Sequence, residues 1–132
     1  MARILIAEDE EALRLLTARA LKGAGHDVIT AADGGAALVC LTRYEGRFDL
    51  LLTDIKMPVM DGIAVALAAA RDYPDLVILL MTGYADQRER AVNLNALIHD
   101  VVSKPFTLAE IKAAVEDALA AKAARTPVAA NG

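Results

Sequence analysis

Four short apolar runs in this chain each stop at residues that carry charge or donate a hydrogen bond. Arg3-Ile4-Leu5-Ile6-Ala7 stops at Glu8-Asp9. Phe48-Asp49-Leu50-Leu51-Leu52-Thr53 stops at Asp54, Leu76-Val77-Ile78-Leu79-Leu80-Met81 at Thr82-Gly83, and Val101-Val102-Ser103 at Lys104-Pro105. Each run is short, aliphatic and bounded by turn residues, as a buried strand is. In an open parallel sheet the carboxyl ends of the strands share one edge, and ligands bind there. The four endings would then set three carboxylates, a hydroxyl and an ammonium around one small space, a donor set for a divalent cation and a phosphoryl group. A carboxylate attacks phosphorus poorly unless charge on the phosphoryl group is neutralised. Asp54 is the candidate nucleophile, with a cation and Lys104 to neutralise. Alone, Asp54 reads equally well as a strand-end cap for the turn Ile55-Lys56-Met57-Pro58; the three companion endings decide against that. Glu8 and Asp9 are the candidate metal residues. Their neighbours Glu10 and Glu11 are explained by the favourable dipole at a helix start and take no site role.

The elements that must position these residues alternate between strand-like and helical patterns. Val28-Ile29-Thr30-Ala31 supplies a further strand. Leu13, Leu16 and Ala20 share a helical face, and Gly23 or Gly25 ends that helix. Asp33 caps a helix running to about Tyr44. A third helix runs from about Gly62 to Asp72, where Pro74 stops it, and a short polar one covers 85–94. Thr107 with Glu110 makes a capping box for the last helix, whose apolar face is Leu108, Ile111, Val115 and Leu119. Met57 and Met60, with Leu13 and Leu16, read as core. Five βα units in a row imply an α/β fold, a doubly wound five-stranded parallel sheet with helices on both faces. Periodicity does not set the strand order; the flavodoxin-like order 2-1-3-4-5 is the common solution.

Composition narrows the function classes. A hydrophobic fraction of 56% in 132 residues supports one folded domain rather than disorder. The net charge of -4 disfavours direct DNA binding, which needs a basic face. One cysteine, Cys40, has no internal disulfide partner, which fits a reducing compartment. No apolar run approaches the ~20 residues of a membrane span, and the chain enters its first strand directly, without a signal peptide. Residues 1–122 read as the domain and 123–132 as a flexible tail.

The ordered set Glu8-Asp9, Asp54 with Met57-Pro58 and Met60-Asp61-Gly62, Thr82, and Lys104-Pro105-Phe106 resembles the receiver domain of bacterial two-component response regulators, over about residues 2–122. The resemblance implies a cytoplasmic protein whose Asp54 accepts a phosphoryl group from a phosphohistidine on a histidine kinase or histidine phosphotransferase, with Mg²⁺ required and Mn²⁺ able to substitute. It implies Asp9, Asp54 and the backbone carbonyl of Lys56 as direct metal ligands, with Glu8 acting through water. It implies Thr82 and Lys104 as the phosphate-contacting switch residues, Lys104 paired with Asp54 at rest, and a cis peptide before Pro105. A narrower resemblance, to stand-alone receivers that act in regulated proteolysis, implies an adaptor whose output is protein binding. The expected face is the fourth helix, fifth strand and fifth helix, with Asp86, Arg88, Glu89, Arg90 and Lys112. The rival is a phosphorelay shuttle that passes the group to a second histidine protein. An aspartyl-phosphate phosphatase is disfavoured, because Lys56 stands where such enzymes carry a second Asp. Val101 departs from the family, where an aromatic is common. Tyr84 either supplies that aromatic or simply covers the site. Lys56 either modulates acyl-phosphate hydrolysis, pairs with Glu8, or is a solvated turn residue. His26 and His99 are assigned no ligand role.

Overall fold

A computed structural model describes residues 2–131, with side chains described throughout except at 85, 86 and 125–131. The elements alternate strictly: β1 (Arg3–Ala7), α1 (Glu11–Gly23), β2 (Asp27–Ala31), α2 (Gly34–Arg43), β3 (Leu50–Asp54), α3 (Gly62–Asp72), β4 (Val77–Thr82), α4 (Ala85–Val92), β5 (Asp100–Ser103) and α5 (Leu108–Asn131). The strands form one parallel sheet in the order β2-β1-β3-β4-β5, as expected. The division after residue 122 remains a proposal, since the expected tail falls largely on side chains outside the described residues.

The aliphatic runs work because the central strands are covered on both faces. Leu5, Leu51, Ile78 and Leu80 point to one side, where Ala37 and Leu41 of α2, Ile63, Ala66 and Ala69 of α3, and Ala91 of α4 meet them. Ile4, Ile6, Leu50, Leu52, Leu79 and Met81 point to the other, against Ala18 and Leu21 of α1 and Ile111, Val115 and Ala118 of α5. Each fully buried aliphatic side chain contributes roughly 1.5–3 kcal/mol, so β1, β3 and β4 form the most stable part of the sheet.

Local signals set the helix starts. Asp33 Oδ1 accepts from the Ala36 amide at 2.7 Å, and Asp61 Oδ1 from the Ala64 amide at 2.9 Å. The Thr107–Glu110 capping box closes in both directions, at 3.0 and 2.8 Å. Two core expectations need correction. Leu16 is 49% exposed and Leu13 half-buried; the buried face of α1 is Thr17, Ala18 and Leu21. The helix is turned so that Arg14 reaches back to the Glu8 carbonyl at 2.9 Å. Leu108 likewise lies 42% exposed at the opening of α5, ahead of the turn that meets the sheet. His26 and His99 tie α5 to strand starts, through Glu116 and Asp117, each at 2.8 Å.

The turn after β3 is tightly constrained. Gly62 donates its amide to the Ile55 carbonyl at 2.8 Å, and a Cβ on Gly62 would sit 2.0 Å from the Asp54 carbonyl oxygen. In the same turn Val59 holds φ at 72°, an unfavourable conformation for a β-branched residue. Gly62 therefore sets how closely α3 approaches Asp54. Gly62→Ala must displace backbone rather than a flexible side chain, and we expect a loss of about 1–3 kcal/mol in urea unfolding. A loss below about 0.5 kcal/mol would show that the approach is not a constraint.

Candidate functional site

β1, β3, β4 and β5 all deliver their last residues to one edge of the sheet. Glu8, Asp9, Glu10, Asp54, Lys56, Gly83, Tyr84 and Lys104 line a cavity of about 520 Å³ there. Carboxylate oxygens of Glu8, Asp9 and Asp54 lie within 4.8 Å of one another. Asp54 is nearly buried, 6% exposed, at the end of β3, where it pairs in register with Met81. Its Oδ1 accepts from the Ile55 amide at 3.0 Å, and its Oδ2 faces Lys104 Nζ at 3.1 Å. The Lys104–Pro105 peptide is cis.

Lys104 does more than pair with Asp54. Its Nζ also donates to Glu8 Oε1 at 2.7 Å, and Glu8 Oε2 accepts from the Glu10 amide at 3.1 Å. The Glu8 partner considered from the sequence, Lys56, is thus displaced by Lys104. Lys56 instead holds its ammonium 5.0 Å from the centre of the Tyr84 ring, a cation–π contact at the cavity rim. Tyr84 is 51% exposed and faces outward. Asp9 is exposed.

Two buried carboxylates share one ammonium, which leaves a negative charge uncompensated away from water. Burial raises the Asp54 carboxyl above its ordinary value, and the Lys104 charge only partly offsets this. Burial likewise raises Glu8, against the hydrogen bonds from Lys104 and the Glu10 amide. For Lys104, burial pushes down, but the hydrogen bond to Glu8 and the charges of Asp54 and Glu8 outweigh it, so the ammonium is held more firmly than usual. The donor set is all oxygen, carboxylate and exposed to approach at Asp9, which suits a hard divalent cation.

Thr82 ends β4 beside this cavity, 3% exposed. Its hydroxyl donates toward Gln87 Oε1 at 2.9 Å and the Tyr84 carbonyl at 3.3 Å, and accepts from the Tyr84 amide at 3.1 Å. Gln87 did not emerge from the sequence, where the fourth helix reads only as polar. The nearest signal was its position, five residues after Thr82. Arg88, Glu89, Arg90 and Lys112 are exposed; the Asp86 side chain lies outside the described residues.

Residues 4–116 match the family model of the response regulator receiver domain. The chain is 41% identical over 126 residues to the response regulator receiver protein CpdR of Brucella abortus, covering 92% of this chain and 99% of that protein. Among solved structures, a CheY-like response regulator receiver domain protein of Methanospirillum hungatei superposes with TM-score 0.86 at 28% identity, over 95% of this chain and 98% of that one. The response regulator TrrA of Thermotoga maritima, solved in complex with Mg(2+)-BeF, superposes with TM-score 0.77 at 32% identity, over 89% and 98%.

The raised carboxyls carry a pH consequence. Their contribution to stability is fully present below the unfolded values near 3.8 and 4.5 and is lost as pH rises through the higher folded values. At pH 7 the excess charge therefore costs stability. Asp54→Asn keeps an acceptor for the Ile55 amide and leaves Lys104 paired with Glu8. We expect it to gain about 0.5–2 kcal/mol at pH 7 and much less near pH 4, measured by urea unfolding at both. An equal gain at both pH values would mean that charge is not the cause.

Proposed function

The chain belongs to the response regulator receiver domain family, and on that premise we propose that it is a phosphorylation switch whose acceptor is Asp54. The observation that carries this reading is a nearly buried Asp54 carboxylate facing Lys104 at 3.1 Å, with the Glu8 and Asp9 carboxylates alongside. A carboxylate oxygen of Asp54 forms the new bond to phosphorus as the bond to the donor imidazole nitrogen breaks, and the imidazole leaves with that electron pair. The Ile55 amide fixes the carboxylate plane. Lys104 would follow the charge from the carboxylate to a phosphoryl oxygen, and Thr82 would donate to another once its hydroxyl is released from its present partners.

Asp9, Asp54 and the Lys56 carbonyl would hold Mg²⁺, or Mn²⁺ in its place, with Glu8 acting through water. The engagement of both Glu8 oxygens with Lys104 and the Glu10 amide supports that outer role. When bound, the ion neutralises phosphoryl charge. The ion bound to TrrA is in keeping with this assignment. The protein would act in the cytoplasm, with a histidine kinase or histidine phosphotransferase as the donor. The output would be protein binding at the α4–β5–α5 face, as an adaptor in regulated proteolysis rather than a shuttle; the similarity to the receiver protein CpdR over nearly its whole length supports an output by binding. Tyr84, rather than Val101, would be the aromatic that responds. Its ring stands at the head of α4, whereas Val101 is 8% exposed within β5.

Acetyl phosphate carrying a labelled phosphoryl group tests the acceptor. We expect Mg²⁺-dependent labelling of the wild type, lost by at least a hundredfold in Asp54→Ala and on chelation; persistent Mg²⁺-dependent labelling of that variant would move the site elsewhere. For Tyr84→Ala we expect labelling within about twofold of wild type. Burying most of a Tyr ring contributes roughly 1.5–3 kcal/mol, so the phosphorylation-dependent gain in partner affinity should shrink by tenfold or more. An unchanged gain, measured by titration with the captured partner, would return Tyr84 to a covering role.

A further inference from the structure

We propose that Gln87 is a latch that holds Thr82, and with it α4, in the resting arrangement, so that the switch is set by competition for one hydroxyl proton. This inference rests on the phosphoacceptor reading of Asp54 and deepens it.

The Thr82 hydroxyl has one proton to give. At rest that proton is directed at Gln87 Oε1, 2.9 Å away, with the Tyr84 carbonyl a longer second acceptor at 3.3 Å. The oxygen in turn accepts from the Tyr84 amide at 3.1 Å. A threonine hydroxyl so engaged cannot donate to a phosphoryl group on Asp54 until the Gln87 bond breaks. Thr82 is 3% exposed, so water does not readily replace the lost partner.

The other end of the bond is an element poised to move. Among the described residues of α4 only Ala91 is buried. The helix is held instead by polar ties: Gln87 to Thr82, Arg88 Nη1 to Ser103 Oγ at 2.6 Å, and Arg90 Nη2 to Asp61 Oδ2 at 3.5 Å. The Arg88 and Arg90 ties are solvent-exposed, where such contacts contribute little. The Gln87 tie is the more sheltered and ends on the hydroxyl that the phosphoryl group claims. Withdrawing that hydroxyl releases the opening turn of α4, and strengthening the latch raises the threshold for switching. Gln87 is thus a positioning residue that acts through Thr82.

The test is a double-mutant cycle read by titration with beryllium fluoride and Mg²⁺, a mimic of the acyl phosphate. Gln87→Met keeps the length of the side chain and removes the acceptor. We expect it to bind the mimic about two- to tenfold more tightly than wild type, the range of one net hydrogen bond. The gain should vanish in a Thr82→Ala background. In the unliganded protein, amides 87–90 should exchange with solvent faster in Gln87→Met than in wild type. Equal affinity for the mimic overturns the latch, as does a gain that survives in Thr82→Ala. A wild type indifferent to the mimic sinks the phosphoacceptor reading instead. The exchange measurement then judges the contact alone, and unchanged exchange overturns it.

Discussion

Everything at the functional edge of this molecule is arranged around one ammonium serving two buried carboxylates. Lys104 reaches Glu8 at 2.7 Å and Asp54 at 3.1 Å, from a strand end on the far side of β4. One positive charge does not balance two negative ones out of water, and burial raises both carboxyls above their ordinary values, with Lys104 only partly offsetting it. A cation or an electrophile that takes up negative charge relieves it. The site is therefore built under electrostatic tension, with the relief supplied by the groups it is proposed to bind. The stability of the sheet permits this. Leu50, Leu51, Leu52, Ile78, Leu79 and Leu80 are fully buried behind the charges, and their burial outweighs a local cost of a few kcal/mol.

Rigidity and mobility are distributed along the same edge. β3 and the turn after it are constrained by the close approach of Gly62 to the Asp54 backbone, so the proposed acceptor is held fixed. α4 is the opposite case, a helix with one buried residue among those described and polar ties at the ends. A group that draws the Thr82 hydroxyl toward Asp54 meets stiff resistance on the β3 side and little on the α4 side, so displacement is directed outward to an exposed surface.

Much of this was legible in the residue order. Four apolar runs ending in Glu8-Asp9, Asp54, Thr82 and Lys104 state that charges collect at one edge, because a buried strand ends in polar groups only where the chain leaves the core. The βα alternation stated the layers, and Asp33, Thr107 and Glu110 stated helix starts, since caps act within one turn. Strand order came from the commonness of one arrangement, and the sheet adopts it. Leu16 was misread because periodicity identifies an apolar stripe but not its angle to the sheet, which Arg14 and its contact with the Glu8 carbonyl accompany here.

What only the tertiary structure decided is which charge meets which. Sequence placed Lys56 two residues from Asp54 and Lys104 fifty away, yet Lys104 holds Glu8 and Asp54 while Lys56 rests on the Tyr84 ring. Pairing depends on distances of a few ångströms across three strands, and Coulomb and hydrogen-bond energies change steeply over that range. The Thr82–Gln87 bond is of the same kind, a contact set by how the opening turn of α4 leaves β4. The sequence by itself determined the elements, the edge and the charges gathered there, because these follow from local pattern and burial. The partners within the edge follow from packing, which no local pattern encodes.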